Sequence, residues 1–402
     1  MNAIRFLCGL GLLVLLICVP TSVLLAENRS LGVNETSGIA TAVVVEDQAL
    51  AHTTQLLPLD GMGQIAVGDL KAQTAQVVAN LREALQTVGS DLAQIARLNV
   101  YLDSKATETS VQKLLTRELL GEVNPAVTYV VTALANDDAL LAVDAIASVP
   151  ESDAVEVIRS TDSELSEHHG TTLANVLPRG RVVYISGMAE KTDALAEATT
   201  GTMRQLHNVL KLLGLEPKHV VHIKSFVQPI AKVAVSRNAI QQMYPDGMSP
   251  PMSFTEWKSS LPIEIEMIAF IPGEAETNET VQLQWQPDEK RSPVYCRFAV
   301  VNASTRIYVS GLRSREELDA TGQVRDIYAQ LGKVLRPVGS DLRHLVKATY
   351  YVADGEVSKA LNDVRPSIYD PKRPPAASKA MIAGTGDTKR TIVIDMIAVP
   401  RG

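Results

Sequence analysis

The chain has 402 residues, 46% of them hydrophobic, 21% charged and 4% aromatic, and a formal net charge of −7. That length suits two or three domains, and the apolar fraction excludes wholesale disorder. An acidic chain with 5 Phe and 2 Trp lacks the basic footprint and the stacking surfaces of a nucleic-acid binder, so no nucleic-acid partner is expected.

The first segment is an address. Arg5 precedes the apolar run Phe6–Val19, and Pro20, Thr21, Ser22 and Leu24-Leu25-Ala26 follow. This pattern predicts a signal peptide over 1–26 and an exported protein, periplasmic or extracellular. The alternative is an uncleaved membrane anchor, because Phe6–Ala26 is long enough to span a bilayer. Cys8 and Cys18 fall in the leader, so Cys296 is left alone, with no intrachain disulfide open to it. It reads as a small hydrophobe. Asn28, Asn34, Asn278 and Asn302 each fit the glycosylation acceptor pattern, which matters only in a eukaryotic source.

Beyond the leader the sequence repeats three times, over 43–150, 166–273 and 294–402. In chain order, each copy opens on a strand turn: Asp60-Gly61, Ser186-Gly187 and Ser310-Gly311. A helix-period stripe follows, with Val78, Leu81, Leu85 and Val88 in the first copy. Met203, Leu206, Leu210 and Leu213 are its counterpart in the second, and Val324, Ile327, Leu331 and Val334 in the third. Each stripe predicts an amphipathic helix with one buried face, stopped by Gly89, Gly214 or Gly339, spaced 125 apart. A period-2 stretch comes next: Leu98, Val100 and Leu102, then Ile223, Ser225 and Val227, then Ala348, Tyr350 and Val352. That alternation predicts a strand with one face on a core. A second helix containing Asn238 and Asn362 leads to Pro125-Ala126, Pro251-Met252 and Pro375-Ala376. Every copy closes on a strand bearing an acid: Asp144, Glu266 and Asp395. Strands and helices mix within each unit, which predicts an α+β class. Glu151–Leu165 and Gly273–Pro293 show no periodicity and read as surface linkers.

These landmarks, in this order and in register, resemble the Rid family (reactive intermediate deaminases, also called the YjgF or L-PSP endoribonuclease family). The most specific pieces are Val183–Gly187, Tyr308–Gly311 and the strand Leu261–Ala269. The resemblance implies three chorismate-mutase-like domains, with mixed sheets closing a pseudo-trimeric barrel and helices outside. It also implies ligand clefts between neighbouring units. One chain would then supply all three units as a monomer, with no dependence of assembly on concentration.

In active family members an arginine after the Pro-Ala landmark grips the carboxylate of a small 2-imino acid. A water held by backbone and by a carboxyl group then hydrolyses the imine. The matching positions here are Val127, Ser253 and Ala377, all uncharged. A planar bidentate grip is impossible from any of them. The resemblance therefore implies a degenerate, non-catalytic member that binds a small ligand or a partner in its clefts. The alternative is an active hydrolase or deaminase of 2-imino acids, or of a related small substrate, with a modified cleft. Cleft candidates are Asp60, Gly61, Ser186, Gly187, Ser310, Gly311, Ser253, Thr255, Asp144, Glu266 and Asp395, with Lys379 as a displaced cation. His219 and His222 have a metal-like i, i+3 spacing but enter a strand. No zinc spacing, phosphate-cradling loop or Ser/His/Asp signature appears, so neither metal nor cofactor is expected.

Overall fold

The computed structural model describes residues 28–119, 123–160, 163–244 and 249–402. The leader lies outside them. The three predicted long helices run Leu70–Gln86, Leu195–Leu212 and Ala320–Leu335. Asp69 and Asp319 cap the first and third, each side chain accepting from a backbone N–H in the opening turn. The predicted stripes face inward: Leu81, Leu206 and Leu331 are fully buried. Gly89, Gly214 and Gly339 stand at φ +75°, +69° and +70°. That left-handed conformation carries no Cβ penalty in glycine, which is why the stop recurs there.

Three six-stranded sheets carry the fold. Each takes four strands from one repeat. The first repeat gives Ala49–Thr53, Ile95–Leu102, Ala126–Val131 and Leu141–Val149. The second gives Arg181–Met188, Val220–Val227, Met252–Glu256 and Ile263–Ile271. The third gives Thr305–Leu312, Leu345–Val352, Ala376–Met381 and Ile392–Ala398. The strand after each Pro landmark runs parallel to the strand after each long helix, and the other pairings are antiparallel. The second helices, Glu108–Glu118, Val233–Gln241 and Gly355–Ile368, supply the parallel crossovers.

The other two strands of each sheet are the opening strand of a different repeat and a short strand from the chain ahead of it. Ala174–Leu177 and Ile158–Arg159 extend the first sheet, and Phe298–Val301 and Val281–Gln284 extend the second. Ala42–Glu46 and Arg29–Leu31 extend the third, so the two ends of the chain share a sheet. The stretches expected to be plain linkers therefore carry strands of 2 and 4 residues, and a short helix, Glu164–His169. Elements this short leave no periodicity to read. Ala42–Glu46 and Ala49–Thr53 are joined by two residues, Asp47 at φ +46° and Gln48, yet they pair with different sheets. A local hairpin is replaced by an exchange that runs cyclically through the three repeats.

The make-up is α+β, three sheet-plus-helix units as expected. Each sheet is open: none closes on itself into the expected barrel. The central strands also differ from a one-faced reading. Every residue of Ile95–Leu102, Val220–Val227 and Leu345–Val352 is buried. Their second faces pack on other repeats. One apolar cluster joins Val43, Leu50, Val182, Tyr184, Phe270 and Ile397, and another joins Tyr101, Phe226, Tyr351, Val130 and Ala380.

Candidate functional site

Register fixes which residues are equivalent. Leu98, Ile223 and Ala348 stand beside Val127, Met252 and Ala377. Met252, not Ser253, thus shares the position of Val127 and Ala377, and Ser253 joins Thr128 and Ser378. Two consecutive prolines, Pro250 and Pro251, make both alignments equally readable in the sequence. The corrected position is still uncharged. A second correction concerns the opening turn. His52, Tyr184 and Tyr308 pair with Ile146, Ile268 and Ile397. Thr54-Gln55 therefore stands where Ser186-Gly187 and Ser310-Gly311 stand in the other repeats. Asp60-Gly61 sits farther along in a surface turn, where Asp60 Oδ1 accepts from the N–H groups of Met62 and Gln64.

The hydroxyls at this position stitch each repeat to the next. Ser310 Oγ accepts from Val127 N–H at 2.8 Å and donates to Ala40 O. Ser186 Oγ accepts from Ala377 N–H at 2.7 Å and donates to Cys296 O. Thr54 Oγ1 donates to Met252 O at 2.8 Å. Cys296 is fully buried, and burial pushes its thiol up to about 12, so it acts as packing.

The cleft between the first and second repeats is a cavity of about 50 Å³ lined by Thr54, Gln55, Met252, Phe254, His169 and Arg237. Helix Val233–Gln241 brings in Arg237, whose Nη1 donates to His169 O at 2.7 Å. Among the described residues no carboxylate pairs with it, and burial lowers its pKa. His169 Nε2 accepts from Leu57 N–H at 2.9 Å, so its Nδ1 is the donor to Leu165 O. The imidazole is thereby held neutral, with burial lowering its pKa.

Between the second and third repeats, Gly187, Glu264 and Ser378 converge. A Cβ at residue 187 would collide with the Glu264 carboxyl and Ser378 Oγ, so any other residue would displace them. Burial, reinforced by Glu266, raises the Glu264 pKa to about 7, against the pull of Lys347, Ser378 and Arg297. The equivalent positions are Ala142 and Val393, so one cleft of three carries this acid. Lys379 lies on the helix side, donating to Ser358 Oγ at 3.1 Å and Asn362 Oδ1 at 3.2 Å. Arg297 is neutralised by Glu289. In the cleft between the third and first repeats, Arg313 is paired bidentately with Glu108, at 2.8 and 2.7 Å, beside the buried Tyr129.

Asp144, Glu266 and Asp395 face inward to a shared centre. Asp395 pairs with Arg97, and Glu266 with Lys347 at 2.6 Å. Burial opposes ionisation of Glu266, but Lys347 and Lys224 outweigh it and hold its pKa below the ordinary value. Asp144 accepts from Asn99 Nδ2 at 2.6 Å, Tyr101 OH at 2.6 Å and Ser253 Oγ at 2.7 Å. His222 Nε2 lies 3.1 Å from Ser253 Oγ. His219 instead folds back on Glu216, so the two histidines share no ligand. Thr255 Oγ1 is buried on this inner face without a partner.

Glu264, Arg237, Thr54, Gln55, His52 and Lys224 are absent from the sequence-derived candidates. Glu264 carried a signal, since it alternates with Glu266 on the same strand face. Arg237 carried none, because it enters from a helix of unknown facing. If burial sets the Glu264 pKa, Glu264→Gln stabilises the protein near pH 8 by about 2 kcal/mol and has little effect near pH 4. The sign follows from a folded pKa above the unfolded one: stability is intact below about 4.5 and is lost as pH rises to about 7. Denaturant midpoints of both proteins across that range check it.

Three α+β units that meet at paired clefts, with hydroxyl-to-backbone stitching at each, define the class: a tandem cleft-forming repeat protein. The Endoribonuclease L-PSP family model matches residues 41–149, 171–271 and 291–399, and the chain belongs to that family. A RutC family protein of Pyrococcus horikoshii is 32% identical over 92 residues, covering 23% of this chain and 72% of that one. A RutC family protein of Pyrococcus abyssi is 30% identical over the same length and shares. Among solved structures, a Rid family protein of unknown function from Yersinia pestis is 25% identical, with a TM-score of 0.27, covering 30% of this chain and 98% of that one.

Proposed function

We propose that the protein is a self-contained Rid-type pseudo-trimer, exported by its leader, that binds a small anionic ligand in a cleft without hydrolysing it. The sheets of its three repeats pack around one centre with helices outside. The cyclic strand exchange and the two clusters drawn from all three repeats support that arrangement.

One observation carries the functional reading: the parts of an imine hydrolase occupy different clefts. Val127, Met252 and Ala377 replace the family's arginine. A guanidinium that no carboxylate pairs with among the described residues, Arg237, enters the first-to-second cleft, where the Glu264 position is Ala142. The carboxyl Glu264 sits in the second-to-third cleft, where Lys379 is turned to the helices. A small carboxylate held by Arg237 has no acid beside it to position water. Isothermal titration with 2-oxobutyrate is expected to show binding that Arg237→Ala weakens by roughly 10- to 100-fold, the worth of a charge-assisted hydrogen bond. Freshly generated 2-iminobutyrate is expected to decay no faster with the protein than without it.

A second reading is favoured by the Glu264 pKa of about 7, which suits a general acid or base at neutral pH. In that reading the second-to-third cleft hydrolyses a small imine that lacks a carboxylate. Imine hydrolysis that Glu264→Gln abolishes and Arg237→Ala spares would establish it in place of the first.

A further inference from the structure

We infer that the chamber at the shared centre of the repeats is a site for a small monovalent anion, of chloride to formate size, which enters together with a proton. This site is separate from the three clefts.

The chamber has a volume of about 50 Å³. A buried water needs roughly 10–15 Å³ measured in this way, so the space suits a few waters or one small ion. It is built from equivalent positions of the three repeats. Arg97, His222 and Lys347 form one ring of positions, and Asn99, Lys224 and Thr349 the next. His52 shares a position with Tyr184 and Tyr308 on the inner face, and Tyr101 and Tyr351 flank Lys224.

The charges balance without a guest. Arg97 is matched by Asp395 and Lys347 by Glu266. Lys224 and Asp144 also cancel in the total, but they do not pair with each other. Lys224 Nζ donates to Tyr351 OH at 2.5 Å and lies 5.6 Å from the centre of the Tyr101 ring. Asp144 is saturated by three neutral donors, Asn99, Tyr101 and Ser253. Among the described residues, the chamber therefore contains an ammonium with no carboxylate paired to it. It also contains His52, only 2% exposed, whose Nε2 has no partner. The His52 and His222 rings are 6.1 Å apart, centre to centre.

An anion added to this neutral set leaves an uncompensated buried charge, unless a proton comes with it. The two imidazoles are the groups that can take that proton near physiological pH. Ser253 gives its hydroxyl proton to Asp144, so His222 Nε2 carries the hydrogen directed at Ser253, and Nδ1 remains to be protonated. His52 has a free Nε2. The groups facing this pair are Arg97, Lys224, Lys347, Asp144, Glu266 and Tyr101, and the cations among them oppose protonation until an anion arrives. Burial first, then His222 and Arg97, holds His52 well below 6.5. Burial takes His222 down to about 4 against the pull of Asp144. Without an anion, stability therefore falls as pH drops from 6.5 towards about 4. With an anion, part of that loss is recovered.

The test is the thermal midpoint of the full chain in sodium bromide, with sodium methanesulfonate replacing it at constant ionic strength. Methanesulfonate is larger than any anion of the chloride-to-formate class. At about pH 5 bromide is expected to raise the midpoint saturably, and at about pH 8 to need at least tenfold more salt for the same shift. His52→Phe and Lys224→Met are expected to remove the saturable part, and Arg237→Ala to keep it. Crystals grown at about pH 5 and soaked in bromide should give an anomalous peak in the chamber, a readout that needs no variant. Equal stabilisation at both pH values, an effect lost in Arg237→Ala, or bromide peaks confined to the surface or the clefts would each overturn the assignment.

Discussion

A chain that begins at Asp47 is expected to lose about 5 kcal/mol or more of stability and to self-associate. Ala42, Val43, Val44 and Val45 are at most 2% exposed, and they lie in the sheet of the third repeat, paired with Thr305–Leu312. Burying a valine is worth roughly 1.5–3 kcal/mol, an upper bound because unfolded chains are already partly collapsed. Three valines and an alanine therefore account for about 5 kcal/mol before any ladder hydrogen bond is counted. The deletion also bares the edge of Thr305–Leu312, a template for pairing with another copy. Urea unfolding is expected to show a lower midpoint, and size-exclusion chromatography a concentration-dependent oligomer. A peptide of residues 28–46 supplied in trans should restore both. Removing only Arg29–Leu31, in which Arg29 is exposed and Ser30 and Leu31 are partly buried, is expected to cost less, about 1 kcal/mol. A truncated chain that stays monomeric with an unchanged midpoint would show that the exchange contributes little.

Much of this architecture was legible because three copies give every landmark three chances to appear. The helix stripes, the glycine stops and the alternation in Ile95–Leu102 all rest on local periodicity, which survives translation into structure. What was not legible is what periodicity cannot encode. Ala42–Glu46 and Ala49–Thr53 look like a hairpin, and nothing in either strand says that they separate to different sheets. The polar alternates Arg97, Asn99 and Tyr101 look like a wet face, since the repeats that cover them lie far away in sequence. The doubled proline hides the register of Ser253, and Asp60-Gly61 reads as the opening turn because Thr54-Gln55 resembles neither of its counterparts. At the site, the uncharged residues were found by position. Glu264 was open to recognition beside Glu266 on the same strand face, whereas Arg237 could be recognised only after the helices were placed.

Asp395→Ala is expected to destabilise the protein by about 3–5 kcal/mol, whereas Arg97→Met combined with Asp395→Leu should be close to neutral. Asp395 is 2% exposed and Arg97 7%, and they come from opposite ends of the chain, the third and the first repeat. Removing the carboxylate strands a guanidinium with only Asn99 Oδ1, at 3.3 Å, to receive it. The large cost of a single substitution is the cost of that stranded charge, and an apolar pair of similar volume avoids it. The second and third repeats meet through the same device, Lys347 and Glu266. The first and second meet through a hydroxyl instead of a cation, Ser253 donating to the Asp144 carboxylate. Ser253→Ala is accordingly expected to cost about 1.5–3 kcal/mol, the range for a hydrogen bond to a charged group. A denaturant-based double-mutant cycle on Arg97 and Asp395 measures the coupling directly. If each single substitution costs no more than Ser253→Ala, the two ends of the chain are held together by apolar packing and strand exchange, and the central charges serve the chamber alone.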